Sequence, residues 1–355
     1  MRGILVAIML FMPSAGWGQW QILDAHTTAD LRGVDNVGKG VVWVSGTNGT
    51  VLRSEDDGYM WQGCTVPPGA EKLDFRGIQA FDANVAIVMS SGPGDASRLY
   101  KTTDGCQSWK LLFVNPDKDG FWDAIAIAKS GESFILGDPV GGEFRVFCQM
   151  GDSKWGEGCS QDSFHAKKDE AAFAASNSSL LIQDGLCFIT GGSLSEMICR
   201  HNGVYGRGGK IVGGNRYVAL PMALGTSAGA FSIAQRDSNK LLVVGGDYKK
   251  PNGSLGTAAF SGDSGKSWSA TTTPPHGYRS AVVYDPDAKT WITVGPNGTD
   301  VSVDDGRNWR ALKPDMRIPG AQVDEDRRWN ALSLPFVVGP GGRIGMLRPE
   351  ALKGR

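Results

Sequence analysis

The sequence holds no C-x-x-C pair and only four scattered histidines, so neither a zinc ribbon nor a dithiol redox centre is written into it. No metal or other cofactor is expected. Charge of neither sign is in excess. Lys and Arg number 36 against 37 Asp and Glu, a net charge of −1, which excludes the basic surface of a nucleic-acid binder and any acidic solvating arm. Beyond the first residues no apolar run approaches the length of a membrane span.

What is present begins at the N-terminus. Met1-Arg2-Gly3 is a short positive start, Ile4–Met12 an apolar run, and Pro13–Gly18 a small-residue exit with Gly16 and Gly18 placed for cleavage. That layout is a secretory signal over residues 1–18, so the mature chain, 19–355, is expected to be secreted or periplasmic. All six cysteines, Cys64, Cys106, Cys148, Cys159, Cys187 and Cys199, follow the cut. An even count in an exported chain favours disulfides, and six cysteines allow about 15 connectivities. Cys148 and Cys159 flank one hairpin and Cys187 and Cys199 another. Elimination leaves Cys64 with Cys106.

An octet recurs. Ser54-x-Asp56-x-Gly58-x-x-Trp61, Ser261-x-Asp263-x-Gly265-x-x-Trp268 and Ser302-x-Asp304-x-Gly306-x-x-Trp309 share one skeleton. Thr102-x-Asp104-x-Cys106-x-x-Trp109 departs once, and worn copies end at Trp155 and surround Tyr205. This is the Asp-box pattern, and its residues suit a turn. Asp accepts from backbone N–H groups of its own turn, Gly takes a conformation costly for a side chain, and Ser or Thr adds a local bond. The Trp opens the next strand and buries a large ring. These roles need no ligand.

Upstream of each octet lie three short apolar or alternating segments separated by Gly, Asn or Asp, as in "LRGVDNVGKGVVWVSGTNGTVLRS". With the strand after the octet, each repeat makes four antiparallel strands, and repeats of roughly 40–60 residues are of propeller-blade length. Inner strands are expected near Arg32, Arg76, Asp123, Ala171, Gly229, Ser280 and Asn330, which makes an all-β, seven-bladed propeller. The seventh repeat has only three strands. "QWQILDA" at 19–25 resembles the strand after an octet, so Trp20 is expected to complete the last blade and close the ring.

The octets and the openings "LRGV" and "FRGI" resemble BNR/Asp-box propellers, most closely those of the photosystem II stability/assembly factor-like group. The resemblance covers nearly the whole mature chain. It implies a seven-bladed exported propeller that binds another protein through an arginine-bearing face. Arg32 and Arg76 match the family's arginines at strand openings, and Arg279 lies one position offset. Asp123, Ala171, Gly229 and Asn330 stand in that place in the other blades.

Strand order puts the octet turns on one face and the starts of the inner strands on the other, around the channel mouth. Candidate binding residues there are Arg32, Arg76, Trp122, Asp123, Asp138, Glu170, Arg279 and Asn330, with Trp329 and the loop Asp247-Tyr248-Lys249-Lys250. The partner expected is another envelope or secreted protein, or a carbohydrate. The alternative is a sialidase-type exo-glycoside hydrolase, which needs an Arg cluster, a Tyr–Glu nucleophile pair and an acid Asp in one pocket. Asp123 and Glu170, opening successive blades, are the pair whose convergence would make a retaining glycosidase. Gly225–Gly229 matches G-x-S-x-G, but a strand rather than a helix is expected to follow. Arg317-Ile318-Pro319 matches a sialidase triplet but follows the last clear octet, and Gly206–Gly214 lacks a phosphate-loop ending.

Overall fold

A computed structural model describes residues 19–352 except 150, 152–153, 158–162, 184, 202–203, 206–210, 213 and 315–325. The expected signal segment, Cys159, the Arg317–Pro319 triplet and most of 206–214 therefore lie outside the described residues.

The chain is a seven-bladed propeller of four-stranded antiparallel sheets. Blade one comprises Leu31–Gly38, Val41–Gly46, Val51–Ser54 and Gln62–Gly63, and blade two comprises Phe75–Ala80, Ala86–Ser90, Arg98–Thr102 and Lys110–Val114. Blades three and four have inner strands Trp122–Ile127 and Leu180–Ile182, and blades five, six and seven Gly225–Gln235, Ala281–Asp285 and Ala331–Ser333. The fourth strand of blade seven is Trp20–Asp24, paired antiparallel with Arg343–Leu347 so that Trp20 faces Leu347.

Adjacent strand residues point to opposite sides of a sheet. The run Leu241–Val244 shows the result. Leu241 and Val243 pack into a cluster shared with blade four, and Leu242 and Val244 into one shared with blade six. Seven such clusters lie among the described residues, one at each junction of neighbouring blades. This explains why the strands read as apolar on both faces.

The inner strands are tied by polar groups at every junction. Asp35 accepts from Ala80 N (2.7 Å), Gln79 from Ile127 N (2.9 Å) and Asn177 from Ile125 N (2.8 Å). Ser178 donates to Ser232 (2.7 Å), which accepts from Val282 N (3.0 Å). Ser280 donates to Trp329 O (3.1 Å), and Ser333 accepts from Asn36 N (3.0 Å), completing the circle.

The octet turns are nearly superposable in their hydrogen bonds. Ser54, Thr102, Ser261 and Ser302 each donate to the aspartate two positions on, at 2.7–2.9 Å. Each hydroxyl accepts from the N–H four positions on, at 2.9–3.0 Å. The aspartates Asp56, Asp104, Asp263 and Asp304 accept from the N–H four positions beyond themselves, at 2.9–3.0 Å. Gly58, Gly265 and Gly306 take φ of 73–81°. Cys106 holds the same position at φ 64° despite its side chain, and bonds Cys64 across blades one and two. Trp309 is buried, and Trp61, Trp109 and Trp268 pack half-buried against the inter-blade clusters.

The expected Cys187–Cys199 disulfide is also present. Cys148 is disulfide-bonded, and its expected partner Cys159 lies outside the described residues. No helix among the described residues is long and apolar enough to cross a membrane.

Blade four departs from the expected pattern. Glu170–Ala171 does pair with Gly191–Gly192, but the inner strand then breaks and resumes at Leu180 opposite Phe188. The intervening residues 172–179 bulge into the ring. They are held from blade two by Arg76, which donates to Ala174 O, from blade three through Asn177, and from blades five and six through Ser178 and Ser176. Gly191 also pairs directly with Gly229 of blade five, so Glu170–Ala171 and Gly191–Gly192 extend the sheet of blade five and stand apart from the four strands of blade four. A Cβ on Gly229 would lie 2.3 Å from the Cα of Gly191, which only glycine permits. The inner strand of blade five accordingly starts at Gly225, earlier than expected, and Gly225–Gly229 lies in a strand with no helix after it.

Candidate functional site

The octet turns join third to fourth strands and share one face. The opposite face carries the inner-strand starts, the links between blades and the turns from second to third strands. We call it the entry face. The sequence-derived candidates fall into three neighbourhoods on it.

Between blades two and four, Arg76 is neutralised by Asp74 at 2.8 Å and donates a second bond to the bulge. Trp122 is fully buried and stacks on Phe113 at 5.4 Å. Asp123 is 2% exposed, with one carboxyl oxygen lacking a partner. Burial first, then the neighbouring Asp138, push its carboxyl well above the ordinary range, and the charge of Arg76 opposes them. Burial likewise raises Asp138 to about 6, although Asp138 accepts from Ala172 N at 3.1 Å. Glu170 is buried and accepts from Thr190 Oγ1 (2.6 Å) and Lys167 N (2.8 Å). Its acidic neighbour is Glu196, raised by burial and then by Glu170. The carboxylates thus associate as Asp123 with Asp138 and Glu170 with Glu196, not as Asp123 with Glu170. An open cleft of about 520 Å³ lies beside them, lined by Asp119, Phe121, Asp138, Lys167, Lys168 and Glu170 among others.

Between blades six and seven the candidates serve the scaffold. Arg279 is fully buried; its Nε donates to Asp300 at 2.8 Å and its Nη1 to Tyr278 O at 2.7 Å. Burial alone would raise Asp300, but the hydrogen bond from His276 and the charge of Arg279 outweigh it and hold the carboxyl below its usual range. Asn330 donates to Leu31 O at 2.8 Å, joining blade seven to blade one, and Trp329 is buried against Trp20.

The third neighbourhood is different. Arg32, half-buried at the start of blade one, makes no hydrogen bond, ion pair or ring contact among the described residues, and its Nε is buried without a partner. Its charge acts on the Tyr278 hydroxyl, which burial raises and Arg32 pulls back down. Tyr248 acts on the same hydroxyl. Behind them Phe231 stands edge-on to Tyr278 (4.9 Å) and Tyr248 (6.2 Å), and Phe173 of the bulge stacks on it at 4.1 Å. The Tyr278 phenol thus lies against an aromatic floor, and the Arg32 guanidinium acts on it electrostatically, neither having a hydrogen-bond partner among the described residues. Tyr278 and Phe231 were not picked out from the sequence. The only signal was that Tyr278 immediately precedes a strand-opening Arg.

Comparison with solved structures returns other propellers. The chain is similar to YCF48 bound to D1 peptide, with a TM-score of 0.60 at 16% identity over 95% of this chain and 99% of that one. YCF48 from Cyanidioschyzon merolae gives 0.61 at 16% identity over 94% and 99%, and the WD40 propeller domain of Doa1 gives 0.57 at 11% over 94% and 98%. The likeness is one of fold. No protein-family model matches the chain, and no curated protein matches it in sequence.

Within this fold the three entry-face arginines have unlike chemistry. Arg76 and Arg279 already pair with carboxylates, and of the three only Arg32 has no partner among the described residues. The arginine cluster that a sialidase needs is not assembled from these three residues. Asp123, whose raised carboxyl could serve as an acid, is sealed beneath the surface.

Proposed function

We propose that the protein is a binding module that holds an acidic segment of another protein on its entry face, with Arg32 as the anchor. The carrying observation is the unpaired, half-buried Arg32 beside Tyr278. A buried guanidinium nitrogen without a partner is costly, and a carboxylate satisfies it bidentately. The fork geometry of Arg and the phenol donor suit such a group. The rigid ring, tied at every junction, offers a surface that loses little freedom on binding. YCF48 is described bound to a D1 peptide, which supports a peptide as the class of ligand.

Membership of the Asp-box propellers and an assembly-factor-like role belong to the same proposal, supported by the repeated octet hydrogen bonds. So does export, supported by two disulfides, which persist in oxidising compartments. The test is selection from a displayed library of random linear peptides on the purified protein. Enriched peptides should contain Asp or Glu, and Arg32→Ala should weaken them about tenfold to a hundredfold, the worth of a charged hydrogen bond. Turnover of fluorogenic glycosides, sialosides included, that Asp123→Asn abolishes would establish the hydrolase instead.

A further inference from the structure

The turn between the second and third strands of blade five, residues 247–257, projects from the entry face beside Tyr278. It is held unusually firmly. Asp247 accepts from Ser227 Oγ (2.7 Å) and Lys249 N (3.0 Å), and Lys250 N donates back to Asp247 O (2.9 Å). Pro251 O accepts from Tyr278 N (3.0 Å) and from Asn297 Nδ2 (3.1 Å). Ala223 N donates to Gly256 O (2.9 Å), tying the preceding link, which carries Leu224, to the end of the turn, which carries Leu255.

This firm frame leaves apolar side chains in water. Leu255 is 91% exposed and Leu224 56%, and Tyr248 is 45% exposed. Scattered surface leucines are ordinary, but these two stand on backbone segments joined by a hydrogen bond, and Tyr248 is exposed in the same turn. Lys249 is exposed and has no ion-pair partner among the described residues, and Lys250 is countered only by Asp247 at 3.5 Å. Apolar contact area and positive charge are thus displayed on one preorganised turn, the arrangement of an interface core with a charged rim.

We infer that this turn is a second contact for the same ligand. It takes an apolar side chain of an acidic peptide segment between Leu224 and Leu255, while Lys249 draws the segment's carboxylates. Tyr248 joins this contact to the Arg32 site, because it lies against Phe231 and acts on Tyr278. The inference rests on the binding function proposed above and adds the class of ligand, a segment that is both acidic and apolar rather than acidic alone.

The probe is the most strongly enriched peptide from the displayed library, labelled with fluorescein and titrated by anisotropy against the full chain. Leu255→Ser and Leu224→Ser should each weaken it about tenfold, and Lys249→Glu should weaken it most at low salt. Val303→Ser, at an exposed position in an octet turn on the opposite face, should change nothing. Loss with Arg32→Ala but full affinity in Leu255→Ser and Leu224→Ser would overturn the inference and leave the anchor standing. Full affinity in Arg32→Ala as well, or no enriched peptide at all, would overturn both. Melting curves of the variants within about a degree of the parent verify that the fold is intact, as expected for exposed side chains.

Discussion

The indole N–H of Trp20 donates to the carboxylate of Asp326, 306 positions away in the chain, at 3.1 Å. The same indole N–H reaches Thr299 of blade six at 3.0 Å, and Gln19 donates to Leu312 O beside it. The strand that closes the ring is therefore bonded to blade six as well as paired within blade seven. Trp20→Ala should cost about 3–5 kcal/mol, the range for a buried Trp. Urea unfolding measures it, and a loss below about 1 kcal/mol would mean the closure is dispensable.

The two described disulfides close loops of different length, with sequence separations of 42 and 12. Chain-entropy arguments assign about 4 kcal/mol to the Cys64–Cys106 link and about 3 kcal/mol to Cys187–Cys199. Cys64→Ala/Cys106→Ala should accordingly lower the denaturation midpoint more than Cys187→Ala/Cys199→Ala. It also removes the side-chain constraint that keeps Cys106 at positive φ. Cys106→Gly in a Cys64→Ala background should recover part of the loss, because glycine holds that conformation freely.

Acidity should act on this protein in two opposing windows. Asp104 and Asp263 are held at about 2, first by the hydroxyls of Ser108 and Ser267 and then by backbone N–H groups. Their contribution to stability is complete above the ordinary value of 3.8 and is lost as pH falls towards 2. Asp35 and Asp138 are pushed by burial to about 6, so ionising them costs stability as pH rises from 3.8 to 6. The melting temperature should peak near pH 4 and decline on both sides. Asp35→Asn/Asp138→Asn keeps the oxygens that accept from Ala80 and Ala172 and should shrink the decline between about pH 4 and 6. An unchanged profile in that variant would refute the assignment.

The bulge of blade four hangs on Asn177, whose side chain accepts from Ile125 N. Asn177→Ala leaves that buried N–H without its partner and should cost about 1–3 kcal/mol. Hydrogen exchange at Ile125 should quicken by more than exchange at Val243, which pairs within blade five.

Much of this architecture was legible in the sequence because it repeats. The octets marked the third turns, and the similarity of "QWQILDA" to "SWKLLFV" placed Trp20 in a blade at the far end of the chain. Elimination among the six cysteines left Cys64 with Cys106, the pair that joins blades one and two. The bulge at 172–179 was not legible. Its residues, Ala, Ser and Asn with one Phe, carry no periodicity, and their partners lie in four other blades. Burial was equally hidden. Arg279 and Arg32 stand at comparable strand openings, yet one is enclosed by Asp300 and the other has no partner among the described residues. That difference depends on residues far away in sequence. The pairing of Asp123 with Asp138 escaped for a different reason, since the two are brought together within one hairpin, whose register the sequence did not give.

The register of Trp20–Asp24 against Arg343–Leu347 also sets an order of events. The two strands stand at opposite ends of the described chain, so neither edge has its partner until the whole ring is present. Pairings this distant are slow, and open edges attract other chains. Closing the ring is the longest-range strand pairing among the described residues, and it removes the ring's last open edge.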